Sequence, residues 1–149
     1  MQLAFSKSLI RRLNECNSVG HKLEHLKTLL KLTGSPKRNG ICLDTCHLFA
    51  AGYDLRTKVA YEKTMGELDR IVGIKNIEAM HLNDSKRELG AHVDRHEHIG
   101  RGHIGLEAFR CLMNDVRFKQ IPMVLETPKD ELYTEDKVNL KRLRGLIRK

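Results

Sequence analysis

The sequence has no tryptophan, and only three tyrosines and four phenylalanines among its 149 residues. It contains no apolar run near the roughly 20 residues that a membrane-spanning helix needs, which argues against a membrane partner. Its four cysteines include no C-x-x-C pair, so their spacing predicts neither a zinc ribbon nor a small disulfide scaffold. No secretory signal is recognisable. We therefore expect an intracellular protein, located in the nucleus or mitochondrion of a eukaryote or in the cytoplasm of a bacterium.

The balance of charge is strongly basic. With 27 lysines and arginines against 19 acidic residues, the formal net charge is +8, which suits a polyanionic partner such as DNA. Six of the basic residues lie in the last thirteen positions, and a solvated helix face would explain those about as well. The length of the chain indicates a single domain.

Short apolar segments alternate with helical patterns along the chain. The segments 40–44, 77–82 and 122–126 have the length of strands and end in polar residues. The segment 83–105 is predicted to be a long functional loop. Apolar residues recur at helical spacing in four stripes: Leu23, Leu26 and Leu30; Tyr61, Met65, Leu68 and Val72; Phe109, Leu112 and Met113; and Leu140, Leu143 and Ile147. This order predicts an α/β fold with a parallel sheet.

Histidine and carboxylate residues stand where the predicted strands end and in the long loop, namely Asp44, His47, His81, Asp94, His96 and Glu126. In a parallel α/β sheet these strand ends converge on one edge. Gathering so many charged groups is costly unless a divalent metal neutralises them, and imidazole with carboxylate suits zinc or manganese, of which zinc is the better choice. Taken singly, each residue has a plainer interpretation, the aspartates as turn formers or helix caps and the histidines as hydrogen-bonded core or surface residues.

Four segments of the chain resemble signatures of the endonuclease IV family and follow the family's order. They read LDTCHLFAAGYD at 43–54, HLNDSK at 81–86, DRHEHIGRGHIG at 94–105 and LETP at 125–128. The resemblance runs from about residue 17 to the C-terminus and corresponds to the C-terminal half of the family's chain. It divides the sequence into a divergent segment, 1–16, which we expect to be poorly ordered, and a half-barrel domain, 17–149.

The resemblance implies a (β/α)8 barrel with three zinc ions at the C-terminal ends of its strands, of which this chain supplies about the last three strands and four helices. It implies zinc-dependent hydrolysis of the phosphodiester 5′ to an abasic site in DNA, which leaves a 3′-hydroxyl. By motif position, the ligands would be His47, Asp94 and His96 for one zinc, and Asp44, His81 and Glu126 for a second. Glu126 would also lie close to the attacking water, which makes it the candidate catalytic residue.

The chain departs from the family pattern at one position and in its extent. Ile10 falls where the family has a glutamate that bridges two zinc ions, and two further histidine ligands would lie on strands that this chain lacks. The resemblance therefore implies one complete zinc site, one that is short of a bridging ligand and one that is absent. It also implies that a complementing half-barrel or an oligomer completes the fold.

Arg95 and Arg101 flank the predicted ligands and could hold DNA phosphates, although a surface salt bridge would explain them equally well. Two other functions compete with the endonuclease. One is a non-catalytic fragment that binds zinc and associates with DNA. The other is a metal-dependent sugar isomerase on a related barrel, which places the same residue types at its strand ends. The segments 94–96 and 125–128 favour the nuclease.

Overall fold

Helices and strands alternate along the part of the chain that the computed structural model describes, residues 21–33 and 39–148. The helices are α1 (Leu23–Leu32), α2 (Thr45–Ala50), α3 (Lys58–Ile71), α4 (Leu106–Met113) and α5 (Thr134–Gly145), with single 3-10 turns at Ile74–Asn76 and Val116–Phe118. The strands are β1 (Ile41–Asp44), β2 (Ile77–His81), β3 (Asp84–Ser85), β4 (His96–Glu97) and β5 (Met123–Val124). The predictions for segment 1–16, including Ile10, fall outside the described residues. No helix among those residues combines the length and the apolar character needed to cross a membrane.

Three of the strands form a parallel sheet in the order β1-β2-β5, with β2 in the centre. Asp44 pairs with His81 across β1 and β2, and His81 pairs with Val124 across β2 and β5. The carboxyl ends of all three strands therefore lie at one edge of the sheet. Parallel strands connected through α3 and α4 are the repeating unit of a (β/α) barrel, so the predicted α/β fold is confirmed.

The core lies where the helices pack against the sheet and one another. Helix α3 contacts both α1 and α4, and the stripes predicted for these three helices supply buried residues to one cluster, among them Leu23, Leu26, Tyr61, Met65, Leu68, Phe109 and Leu112. Full burial of an apolar side chain contributes about 1.5–3 kcal/mol. At the start of α3, the hydroxyl of Thr57 accepts a hydrogen bond from the backbone N–H of Ala60 at 3.2 Å, which caps the helix.

The last predicted helix is present as α5, although only one of the three apolar residues that marked it is buried. Leu143 of α5 is buried, but Leu140 and Ile147 are 40% and 48% exposed. Helix α5 contacts α4. Leu140, on α5, and Ile147, beyond the end of the helix at Gly145, remain partly open to solvent. Val124, on the neighbouring strand β5, is likewise 49% exposed.

The segment 83–105 is more ordered than the predicted loop. Strands β3 and β4 pair within it in antiparallel orientation and bring His96 opposite Ser85. The buried side chain of Asp84 accepts hydrogen bonds from four backbone N–H groups, those of Ser85, Gly100, Ile104 and Gly105. Gly102 is required beside this carboxylate, because a Cβ atom there would lie 2.3 Å from the carbonyl oxygen of Ser85. Asp84 thus fixes the chain on the C-terminal side of β4.

Candidate metal centre

Asp44 is the last residue of β1 and also the N-cap of α2, a short helix that was not predicted. Its Oδ1 accepts hydrogen bonds from the backbone N–H groups of Cys46 and His47 at 2.8 and 3.2 Å. Its Oδ2 lies 3.5 Å from His81 Nδ1. The two oxygens therefore have separate partners, since one caps the helix and the other faces the predicted site.

His47 of α2 meets Asp94 and His96 of the β3-β4 hairpin, and we call these three residues the hairpin group. His47 Nε2 lies 3.2 Å from Asp94 Oδ2, and His96 Nε2 lies 3.1 Å from Asp94 Oδ1. The two Nε2 atoms are 3.4 Å apart. The other ring nitrogen of His96 lies 3.0 Å from the carbonyl oxygen of Glu126, which orients the ring. Two imidazoles and one carboxylate thus lie close together. Asp94 and His96 point to the same side because alternate residues of an extended segment face the same way, and His47 reaches them from α2.

The ends of the three parallel strands supply Asp44, His81 and Glu126, which we call the sheet group. His81 Nδ1 lies 3.5 Å from Asp44 Oδ2 and 2.9 Å from Glu126 Oε2. Asp44 Oδ2 is also 3.7 Å from His96 Nε2, so this oxygen joins the two groups. The side chain of Glu126 is 42% exposed, compared with 3% for that of Asp44. The sheet group therefore opens to solvent at Glu126.

Opposite charges stabilise the ionised forms of these side chains. Burial would raise the pKa of Asp44, but hydrogen bonding with His81 and the proximity of His47 and His96 bring it below its usual range. Hydrogen bonds with His47 and His96 also lower the pKa of Asp94. The hydrogen bond with Asp44 raises the pKa of His81 to about 10. Burial would lower the pKa of His96, but Asp94 and Asp44 raise it to about 9. Without a metal, protons on these two imidazoles offset part of the negative charge of the carboxylates at neutral pH.

A divalent cation fits the same donors. Asp44 with His47 and His96, and again Asp44 with His81 and Glu126, offer ligand atoms that all lie within 4.8 Å of one another. A bound cation displaces protons from imidazole and neutralises carboxylate, and this mixture of donors is one that zinc accepts. His47 presents Nε2 to the other donors, while its buried Nδ1 has no hydrogen-bond partner among the described residues.

Asn83 connects the Asp44 carboxylate to the backbone of Glu126 and was not predicted as a site residue. It is fully buried. Its Nδ2 donates to Asp44 Oδ2, and its Oδ1 accepts from the backbone N–H of Glu126, each at 2.9 Å. A polar residue that follows a strand-end histidine by two positions is the signal that could have identified it, since a buried amide requires hydrogen-bond partners.

Cys46 places a thiol beside the hairpin group. Its sulfur lies 3.8 Å from the carbonyl oxygen of Arg95 and within 4.8 Å of ligand atoms of Asp94 and His96. Burial raises the pKa of Cys46 to about 12, and the Asp44 carboxylate adds to the effect. Without a metal the thiol is therefore neutral at neutral pH, and together with Asp94 and His96 it forms a third set of donor atoms that lie within 4.8 Å of one another.

The two arginines predicted to hold phosphates differ in their partners. Arg95 is exposed, and its Nη1 donates to the carbonyl oxygen of Asp94 at 2.7 Å. Arg101 is half exposed, and its Nη1 lies 3.6 Å from Glu135 Oε2. The contact of Arg101 is thus a surface salt bridge, which is the plainer of the two interpretations. In the sequence, Arg95 stands between Asp94 and His96, two members of the hairpin group.

The chain matches known proteins over most of its length. A family model described as a xylose isomerase-like TIM barrel matches residues 9–148. Probable endonuclease 4 of Chloroflexus aurantiacus is 53% identical over 130 residues, which cover 87% of this chain and 46% of that protein. Probable endonuclease 4 of Geotalea daltonii is 47% identical over 131 residues, with coverage of 88% and 46%. The crystal structure of endonuclease IV from Thermus thermophilus matches with a TM-score of 0.78 and 35% identity, over 92% of this chain and 48% of that one.

The chain thus spans a little under half the length of the curated relatives that it matches. Within that span, sequence and fold agree with the resemblance drawn from the four motifs, and the partial barrel is confirmed by the structural likeness. The protein therefore belongs to the xylose isomerase-like TIM barrel family, within its endonuclease IV group.

Proposed function

We propose that this chain forms part of the active centre of a DNA-repair endonuclease that uses zinc to hydrolyse the phosphodiester 5′ to an abasic site and leaves a 3′-hydroxyl. The observation that carries the proposal is the meeting of imidazole and carboxylate side chains, in two touching groups, at the carboxyl edge of the parallel sheet. Barrel enzymes place their catalytic residues at this edge. The likeness to proteins named endonuclease 4 supports the choice of reaction.

The hairpin group would hold one zinc ion, and the sheet group would hold a second. Zinc bound there would lower the pKa of a coordinated water to about 7 and offset the negative charge that gathers on the phosphate oxygens. The hairpin group is the tighter candidate, because its three side chains lie within 3.4 Å of one another and are largely buried. The sheet group is the weaker one, because Glu126 is half exposed and Ile10 takes the position where the family resemblance expects a bridging carboxylate.

Glu126 is the proposed catalytic residue. It has the most accessible carboxylate of the sheet group, and its Oε2 is engaged with His81 Nδ1 at 2.9 Å. That contact orients the carboxylate and leaves Oε1 to accept a proton from the attacking water. The effect of a carboxylate as a general base depends on its reach and orientation toward the attacking water.

DNA that contains an abasic site is the proposed substrate. Arg95 exposes a guanidinium beside the hairpin group, where it would hold a phosphate through charge-assisted hydrogen bonds. Arg101 would first have to leave Glu135, and an exposed ion pair of this kind contributes at most about 1 kcal/mol. The bacterial sources of the matched relatives favour a bacterial cytoplasm over a nucleus or mitochondrion as the place of action.

A complementing half-barrel, from the rest of a longer protein or from a second chain, would complete the fold. By strand alternation, the sheet face that bears Asp44 and His81 also bears Cys42, Ala79 and Val124, and Val124 is half exposed. Among the described residues, β1 and β5 each pair with a single neighbour in their sheet, so each has an edge of unpaired backbone groups. Additional parallel strands would cover the face and pair with both edges.

Incision of an abasic duplex tests the proposed function. The chain would be incubated with zinc and a duplex that carries one abasic-site analogue, alone and together with the N-terminal half of the Chloroflexus aurantiacus relative. We expect a cut 5′ to the lesion, with a 3′ end that a polymerase extends, in the mixture and far less with the chain alone. Glu126→Gln should abolish the cut, whereas Glu62→Gln, which alters an exposed pair with Arg117 on the helical side, should not. No incision in the mixture, where a full-length relative cuts, would contradict the proposal.

The second candidate function is a non-catalytic fragment that binds zinc and associates with DNA. The close approach of His47, Asp94 and His96, within 3.4 Å of one another, favours it. This function predicts one zinc per chain, held by the hairpin group, and salt-sensitive DNA binding without cleavage even in the presence of the complementing half. A second zinc together with incision in the mixture would exclude it.

A further inference from the structure

We propose that Asn83 is a positioning residue that sets the separation between the Asp44 carboxylate and the backbone that carries the Glu126 carboxylate. The inference rests on the proposed function, because it assigns the Asn83 side chain to the support of that metal site. Asn83 lies two residues beyond His81, past the end of the central strand β2. From there its amide reaches the ends of both flanking strands.

The amide of Asn83 is a cross-link between β1 and β5, which do not pair with each other in the sheet. Its Nδ2 donates to Asp44 Oδ2 at the end of β1, and its Oδ1 accepts from the backbone N–H of Glu126 just beyond β5, both at 2.9 Å. The deeply buried Asp44 carboxylate and the backbone of Glu126 are thereby tied to one planar group. His81, the imidazole of the sheet group, lies within 3.5 Å of both carboxylates.

The orientation of the amide is determined on both sides. The hydroxyl of Thr45 donates to the Asn83 carbonyl oxygen at 2.6 Å and accepts from the Asn83 N–H at 2.9 Å, which fixes the backbone. An ionised carboxylate only accepts hydrogen bonds and a backbone N–H only donates them. Nδ2 must therefore face Asp44, and Oδ1 must face Glu126. An ionised aspartate of the same size would present only acceptors, so it could not replace the donor that faces Asp44.

Asn83 supports one metal group and does not touch the other. Its side chain contacts Asp44 and the backbone of Glu126, whereas none of its hydrogen bonds reaches the hairpin group. Outer partners of metal ligands are typically worth about 10- to 100-fold in metal affinity. Loss of the Asn83 amide should therefore weaken zinc binding more at the sheet group than at the hairpin group, which it reaches only through the shared Asp44 Oδ2. A purely structural residue would lower the stability of the whole chain and leave the ratio of the two zinc affinities unchanged.

Zinc titration of the full chain by calorimetry tests this selectivity. Asn83→Leu keeps the approximate size and removes both hydrogen bonds, and Asn83→Ser is too short to span the two partners. Asn114→Leu is the matched control, because the Asn114 amide also bridges two elements, through the carbonyl oxygens of Arg110 and Leu146, but lies outside both groups. We expect the weaker zinc affinity to fall about 10-fold or more in both Asn83 variants, the tighter one to change less than about threefold, and neither to change in the control.

Hydrogen exchange at the Glu126 amide gives a second readout that needs no metal. Because Asn83 Oδ1 is the acceptor of this N–H, exchange should accelerate about 10-fold or more in both Asn83 variants and stay unchanged in Asn114→Leu. Unchanged exchange would overturn the assignment, as would an equal loss of both zinc affinities or loss of the folded circular dichroism spectrum in both variants. If the wild-type chain binds less than about a tenth of an equivalent of zinc, the proposed function fails, while faster exchange would still uphold the position of Asn83.

Discussion

The hairpin group and the sheet group use the same residue types but are built in different ways. The hairpin group joins one helix, α2, to one hairpin, and the buried Asp84 carboxylate fixes the chain that follows β4. The sheet group joins the ends of three parallel strands, and its last member, Glu126, is half exposed. The first group depends on the packing of α2 against the hairpin, whereas the second depends on the register of the sheet.

This difference indicates which part of a half-barrel is self-sufficient. All the elements that hold the hairpin group are present in the described residues and are packed around it. The sheet group lies where β5 has an open edge, and the Asn83 amide is the cross-link between the Asp44 carboxylate and the backbone of Glu126. We therefore expect two zinc affinities that differ clearly, with the hairpin group the tighter of the two.

Asp44→Ala should have the largest effect, because Asp44 is common to both groups. The change removes a carboxylate oxygen that lies near His81 and His96 and removes the N-cap of α2, which is worth about 1 kcal/mol. We expect zinc affinity measured by calorimetry to fall at both groups, by more than about 100-fold at the sheet group, since a direct ligand counts for more than its outer partners. Asp54→Ala, which breaks an exposed pair with Arg56, should change neither affinity. Retention of both affinities in Asp44→Ala would show that the groups do not share this oxygen.

His47→Ala and His81→Ala should separate the groups, with a smaller effect than loss of Asp44. Each removes an imidazole from one group only, so we expect each variant to lose one of two zinc equivalents by elemental analysis of the dialysed protein. The ion that remains should be the weaker one in His47→Ala and the tighter one in His81→Ala. Loss of the same ion in both variants would mean that there is a single site.

The metal-free chain should become less stable in alkaline solution. The pKa values of His81 and His96 are raised to about 10 and about 9, so the folded state holds these protons more tightly than the unfolded state does. Their contribution to the free energy of unfolding is complete below about pH 6.5 and is lost as the pH rises through about 9 to 10. Urea unfolding in chelator at about pH 6, 8 and 10 should show this decline, and the double variant His81→Asn, His96→Asn should flatten it. Equal stability of the unsubstituted chain at the lowest and highest pH would contradict the charge pairing described for both groups.

Arg95→Ala and Arg101→Ala should have the smallest effects. Removal of a phosphate contact lowers the slope of log affinity for DNA against log salt by about 1, and we expect this for Arg95 at the side of the hairpin group. Arg101→Ala should change the free energy of unfolding by less than about 1 kcal/mol, because its pair with Glu135 is exposed. Arg110→Ala, which breaks an exposed pair on α4, is the control for loss of charge. If the slope of log affinity against log salt is the same in Arg95→Ala and in the control, Arg95 does not contact DNA phosphate.

The strand ends were predictable because parallel strands converge whatever the details of their packing. That rule predicts that Asp44, His81 and Glu126 lie at one edge of the sheet. The alternation of strand residues predicts that Asp94 and His96 face the same side. Helix α2 was not predictable in the same way. All its residues are buried, so the segment has no amphipathic period, and its start is marked only by the Asp44 cap.

The remaining differences between the predictions and the structure depend on tertiary contacts. The stripe of Leu140 and Ile147 has helical spacing, but burial requires an element to cover it, and spacing says nothing of that element. Asn83 and Asp84 have the residue types of an ordinary turn. Their roles arise from hydrogen bonds to the ends of β1 and β5 and to the chain after β4, which local sequence does not contain.

Anomalous diffraction at the zinc absorption edge, from crystals of the full chain grown with zinc, tests the central claim most directly. We expect two peaks, the stronger one between His47, Asp94 and His96 and the weaker one between Asp44, His81 and Glu126. No peak at the hairpin group, in crystals where the chain has the fold described, would contradict the assignment of a metal centre to this edge of the sheet.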